Sequence, residues 1–131
     1  MAKLSSVRVD QQKATQGIWV DYEQGIRLLI GRSRNPNYDK FLQDKMSASA
    51  KSANGKVSYS EEEIEELVLE GMARHVLLGW ENVEDEGPYT PERGIELFKN
   101  PEFADFYLFV KMISNNTERF RVQAVEVVAK N

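Results

Sequence analysis

Leu78-Gly79-Trp80-Glu81-Asn82-Val83-Glu84-Asp85-Glu86-Gly87-Pro88-Tyr89-Thr90-Pro91-Glu92 separates two helical readings of the chain. Upstream of it, Ser60-Glu61-Glu62-Glu63 supplies a capping box, in which the Ser60 hydroxyl accepts from the Glu63 N–H and the Glu63 carboxylate reaches back to the Ser60 N–H. Ile64, Leu67, Val68, Met72, His75 and Val76 then recur at helical spacing, so a long helix is expected, with Gly79 as its left-handed C-cap. An acidic turn follows, and Thr90-Pro91-Glu92 starts a new helix. Pro sacrifices no hydrogen bond at a first helical position, and the preceding side-chain cap is worth about 1 kcal/mol.

The same start signal recurs at Asn35-Pro36 and Asn100-Pro101-Glu102. Helices are therefore expected from Pro36 to about Met46, from Pro91 to Lys99 and from Pro101 to Ser114. A last one is expected from Asn116 or Thr117 to Lys130, on a stripe of Phe120, Ala124, Val127 and Val128, although the valines there suit a strand nearly as well. Between the first two helices, residues 47–58 are small and polar with few apolar anchors, which predicts a mobile segment. Toward the N-terminus the period changes to two: Ile18, Val20 and Tyr22 alternate with Trp19 and Asp21, Glu23-Gln24-Gly25 turns the chain, and Ile26 to Ile30 is a second apolar run. That is a β-hairpin, with Ser6-Val7-Arg8-Val9 as a candidate third strand. One layer of helices cannot bury both the Trp19 side and the Ile18/Val20 side. The expected architecture is α+β and predominantly α-helical: a single domain over 1–131, with a small N-terminal β-hairpin in 1–34 followed by about five helices in 35–131.

With 131 residues, 41% hydrophobic and 29% charged, the chain has material for one core. Its formal net charge of −4 repels phosphate backbones and anionic lipid, so neither nucleic acid nor a membrane is an expected partner. No run approaches the roughly 18 apolar residues that a membrane span requires, and the first residues lack a signal-peptide core. The absence of cysteine excludes disulfides and thiol catalysis and agrees with a cytoplasmic protein.

Candidate chemistry reduces to solvated or packed side chains. Glu61, Glu62, Glu63, Glu65, Glu66 and Glu70 complement a helix N-terminus and alternate with no His or Asp. Asn82 to Gly87 is similar to a calcium loop only in part, because its twelfth position is Arg93, where a bidentate Glu is needed. His75 is the single histidine and falls on an apolar face, which suits a packed imidazole better than an acid/base group; Glu70 or Asp85 would be its partner in an enzyme. The glycines form no phosphate loop, and Arg27, Arg32 and Arg34 are too few to overrule the acidic total. No cofactor, metal or catalytic residue is expected.

The remaining feature is surplus apolar surface on the helix from Pro101 to Ser114, where Phe103, Phe106, Tyr107, Phe109, Val110, Met112 and Ile113 fill more than one stripe. Such a helix is either central to the core or half core and half interface. On the second reading Phe103, Phe106, Tyr107 and Phe109 are candidate protein-binding residues, and Trp80 and Tyr89 beside the acidic turn extend the patch. Taken with Gly17-Ile18-Trp19-Val20-Asp21-Tyr22, Arg34-Asn35-Pro36-Asn37-Tyr38 and the Leu78–Glu92 stretch, this order of events resembles the tail assembly chaperones of long-tailed bacteriophages and prophages. The resemblance implies a non-catalytic factor that acts in the cytoplasm of the bacterial host. It would bind the tape measure protein and the tail tube subunit during tail morphogenesis and be missing from the mature virion. It also implies genes that commonly yield a longer form by translational frameshifting. Homo-oligomers are compatible with it. The alternative is a structural virion component such as a head-tail connector or tail completion protein.

Overall fold

The computed structural model describes residues 1, 3–52 and 59–122. After a 3-10 turn at Leu4–Val7 come α1 (Gln11–Gln16), β1 (Ile18–Asp21) and β2 (Arg27–Ile30). They are followed by α2 (Pro36–Ser52), α3 (Glu61–His75), β3 (Leu77–Glu81), α4 (Pro91–Lys99) and α5 (Ala104–Ser114). The described chain is thus α+β and mostly helical, with a three-stranded antiparallel sheet in the order β1-β2-β3 and five α-helices.

The hairpin forms where the alternation placed it, and its turn uses Gln24 at φ 58° and Gly25 at φ 82°, both left-handed. Pairing sets Val20 opposite Leu28 and Leu28 opposite Trp80, so these side chains share one face of the sheet. Val20, Leu28 and Ile30 are buried on that face. The other face resolves which side stays outside: Trp19 is exposed, Arg27 lies 5.4 Å above its ring, and Asp21, Arg27 and Glu81 pair across the strands. These ion pairs are well exposed and worth little.

The third strand is not Ser6–Val9. That stretch holds the 3-10 turn, and Val9 makes a single bridge to Arg121. The free edge of β2 is taken instead by β3, where the apolar spacing predicts the end of the long helix. α3 stops at His75, Val76 is its C-cap, and Gly79 sits in the strand opposite Leu29 rather than in a left-handed cap. Val76-Leu77-Leu78 prolongs the apolar stripe of α3, so spacing cannot separate helix from strand there. Pairing with β2 decides it, because it satisfies both backbones and buries Val76 and Leu77 completely.

Four further boundaries differ, the first being that α5 starts at Ala104, after a separate 3-10 turn at Pro101–Phe103. α2 runs on to Ser52, so residues 47–52 of the segment expected to be mobile continue a helix, while 53–58 lie outside the described residues. α1 was not foreseen; Asp10 caps it through the amides of Gln12 and Lys13, and six residues are too short to show a helical period. The last helix is reduced to a 3-10 turn at Thr117–Phe120, after which Arg121 is extended. The Phe120 carbonyl accepts from Asp10 N–H and the Val122 N–H donates to Arg8, so the chain pairs with its own N-terminal segment instead of continuing to coil. The rest of that expected helix, 123–131, lies outside the described residues.

α5 lies against β2 and α4, with Phe106, Val110 and Ile113 turned inward. Burying a side chain such as Leu28 or Val110 contributes about 1.5–3 kcal/mol. Close approach lets α3 and α4 enter this core through glycine. A Cβ at Gly71 would stand 2.6 Å from the Tyr38 ring, and one at Gly94 would overlap the Tyr89 hydroxyl.

Residues 31–35 tie the layers together. Gly31, Arg32 and Ser33 N–H groups donate to the carbonyls of Val76, Ala14 and Ser114 at 2.7, 2.9 and 3.0 Å. Asn35, fully buried, accepts from Tyr38 N–H as the expected cap of α2 and donates from Nδ2 to the carbonyls of Arg32 and His75. One amide therefore starts α2 and fastens the C-terminus of α3.

Candidate functional site

At the other end of the sheet, the hairpin turn and the acidic turn stand on either side of a cleft of about 320 Å³. Its floor is Ile26, Leu28, Leu97 and Phe106; Tyr22, Glu23 and Gln24 line one side, Trp80, Val83, Asp85 and Glu86 the other, and Phe103 lies at its mouth. Asn82 holds the two turns in register: at φ 66° it directs its side-chain amide to the Gly25 carbonyl, 3.0 Å away. The Trp80 indole N–H donates to the Gly87 carbonyl at 2.8 Å, closing the acidic turn on itself. Arg93 pairs with Glu86 at 2.9 Å and also with Glu96. Burial, with the charges of Glu23 and then Asp105, pushes the Tyr22 hydroxyl above its ordinary pKa.

The structure divides the six candidate binding residues among four settings. Trp80, Phe103 and Phe106 line the cleft together; Phe106 is buried in its floor, whereas Phe103 is 38% exposed. Tyr89 stands behind Trp80, edge-on at 4.9 Å, and its hydroxyl donates to the Ala73 carbonyl in α3. Burial drives that hydroxyl's pKa far up, so Tyr89 is a neutral anchor of the acidic turn. Phe109 packs 4.7 Å from Tyr22 on the hairpin. Tyr107 faces away from the cleft, its ring tilted against Phe98 at 4.6 Å with the Lys111 ammonium over its ring.

Met112, part of the surplus apolar surface expected on this helix, and Leu108, not among those residues, carry the largest exposed apolar area of α5. Leu108 is 58% exposed and Met112 61%, one helical turn apart on the face opposite Val110. Met112 was legible as apolar but not as outward-facing. With Phe106, Val110 and Ile113 facing the core, helical phase points positions 108 and 112 away from it.

The groups considered for chemistry are occupied or isolated. His75 is half-buried 5.5 Å from the Phe41 ring, and burial, then the Arg74 charge, lowers its pKa below the ordinary value. Glu70 pairs with Arg74 at 3.0 Å. Arg34 pairs with Asp39 and Arg27 with Asp21 and Glu81, so two of the basic trio are locally compensated, and Arg32 donates to the Arg34 carbonyl. Among the described residues no three His, Asp or Glu side chains converge as metal ligands, and no helix is long and apolar enough to cross a membrane.

A model of the YdaY prophage protein family matches residues 33–131, from the 31–35 junction through β3, the acidic turn and α5. The hairpin side of the cleft lies before the matched stretch. No curated protein and no solved structure matches the chain.

Proposed function

We propose that this chain, which belongs to the YdaY prophage protein family, is a non-catalytic assembly factor that acts as a tail assembly chaperone. It binds the tape measure protein and the tail tube subunit in the host cytoplasm and leaves before the particle is complete. The observation that carries the reading is the division of α5: one side fills the core with Phe106, Val110 and Ile113, and the other holds Leu108 and Met112 exposed, while Phe103 is exposed just before its first turn. Flexible Met and aromatic side chains on an otherwise acidic surface suit reversible contact with aggregation-prone partners. The prophage family supports a phage role, and the engagement of Glu70 and isolation of His75 support a role through contacts instead of catalysis.

Affinity capture from prophage-induced cells, compared with the content of purified particles, tests it. The expected result is recovery of a tape measure or tail tube protein with this chain missing from particles. Its presence in particles at fixed stoichiometry would overturn the reading in favour of a connector or tail completion protein. Leu108→Ser with Met112→Ser is expected to abolish capture while changing stability by less than about 0.5 kcal/mol, since both side chains are already solvated.

A further inference from the structure

The charge at the rim of the cleft is of a single sign. Glu23, Asp85 and Glu86 line it and no Lys or Arg does. Glu86 is held by Arg93, whose charge also reaches Asp85, and neither Glu23 nor Asp85 makes a close ion pair among the described residues. In the same cleft the half-buried Tyr22, Ile26, Trp80 and Val83 and the exposed Phe103 present apolar surface over the buried Leu28 and Phe106, and low-dielectric walls concentrate the field of the carboxylates there. At about 320 Å³ the space takes one or two apolar side chains of a peptide. An anionic ligand is repelled by the rim, and a second copy of this chain would bring a further net charge of −4.

We propose that the cleft docks an amphipathic, cationic segment of a partner protein, with an apolar anchor among Tyr22, Ile26, Trp80 and Phe103 and Lys or Arg side chains against Glu23 and Asp85. This rests on the protein-contact reading above and adds the chemistry of the segment recognised. Anchoring gives the affinity, and the two carboxylates reject segments of the wrong charge.

The test uses the full chain carrying Trp19→Phe, which leaves Trp80 in the cleft as the single tryptophan. The probe is an amphipathic helical peptide of Lys and Leu about 14 residues long, with a Glu and Leu peptide of the same pattern as counterpart. The Lys peptide is expected to shift Trp80 emission and to bind at least about 10-fold more tightly than the Glu peptide, with affinity falling as salt rises. Glu23→Gln with Asp85→Asn is expected to weaken it about 10-fold, whereas Glu61→Gln with Glu62→Gln, which removes equal charge at the start of α3, changes it less than about twofold. Equal binding of the two peptides, or equal loss from both charge pairs, overturns the proposal, because the field of the whole chain would then suffice. Capture of a tail protein that Glu23→Gln with Asp85→Asn leaves intact overturns the cleft and keeps the assembly reading. Cleft-specific binding of the Lys peptide with no tail protein captured does the reverse.

Discussion

The 31–35 junction and the cleft lie at opposite ends of the same sheet and handle their surroundings in opposite ways. At the junction, Asn35 is fully buried with both donors and its acceptor engaged, and three successive N–H groups meet carbonyls from α1, the C-terminus of α3 and α5. Nothing there is left to offer another molecule. At the cleft, Phe103 stays exposed, Glu23 and Asp85 have no ion-pair partner among the described residues, and the neighbouring helix carries Leu108 and Met112 into solvent. Satisfied polar groups fix geometry, and unsatisfied apolar area binds. A small domain needs the first in order to maintain the second, since exposed apolar surface contributes nothing to folding.

The sharpest way to break this contrast is Asn35→Asp. The carboxylate keeps the cap on α2 but cannot donate to Arg32 and His75, and it places a charge against two carbonyls. A loss of about 4 kcal/mol is expected in denaturant unfolding, with peptide binding by the folded fraction unchanged. A loss below 1 kcal/mol would mean that the junction is not what holds the layers.

Two phenylalanines near each other in the chain sharpen the contrast at its other end. Phe106→Ala, in the core, is expected to cost about 3 kcal/mol, and Phe103→Ala, at the cleft mouth, about 1 kcal/mol or less with peptide affinity reduced. Equal losses of stability would place Phe103 in the core and remove it from the contact surface.

Gly94→Ala tests the anchor behind the cleft. Alanine favours a helix by about 1 kcal/mol over glycine, yet here its methyl overlaps the Tyr89 hydroxyl, and overpacking of about 1–3 kcal/mol should prevail. Combined with Tyr89→Phe, which removes that hydroxyl, the same change is expected to be neutral or stabilising by thermal melting.

The smallest effect is that of pH. His75 has a folded-state pKa below its ordinary 6.5, so as pH falls through 6.5 the unfolded chain takes up a proton before the native one does, and stability decreases. Above that pH the contribution is fully present. His75→Gln should flatten the slope of stability against pH just below 6.5, and an unchanged slope would assign it to other groups.

Much of this contrast is readable in the chain before folding, though unevenly. The caps at Asn35, Ser60, Thr90 and Asn100 all form as the local pattern indicates, because a cap and the first turn it satisfies lie within four residues. The hairpin and its Glu23-Gln24-Gly25 turn are local for the same reason. β3 was misread because Leu77 to Glu81 has no local preference strong enough to oppose the stripe running into it from α3. Its partner, β2, lies some fifty residues earlier in the chain. The stretch after Thr117 failed likewise: its valine-rich pattern admits either structure, and a backbone bond from Val122 to Arg8 settles the part that is described.

The site divides along the same line. Sequence determined that α5 has more apolar surface than one core face requires, that an acidic turn stands beside Trp80, and that no cysteine or phosphate-loop chemistry is available. Which aromatics turn inward was decided only by tertiary structure. So was the meeting of the acidic turn with a hairpin turn to make a cleft, and so was the solvation of Leu108 and Met112. Composition and period depend on neighbours in the chain, whereas exposure depends on what the sheet has already covered.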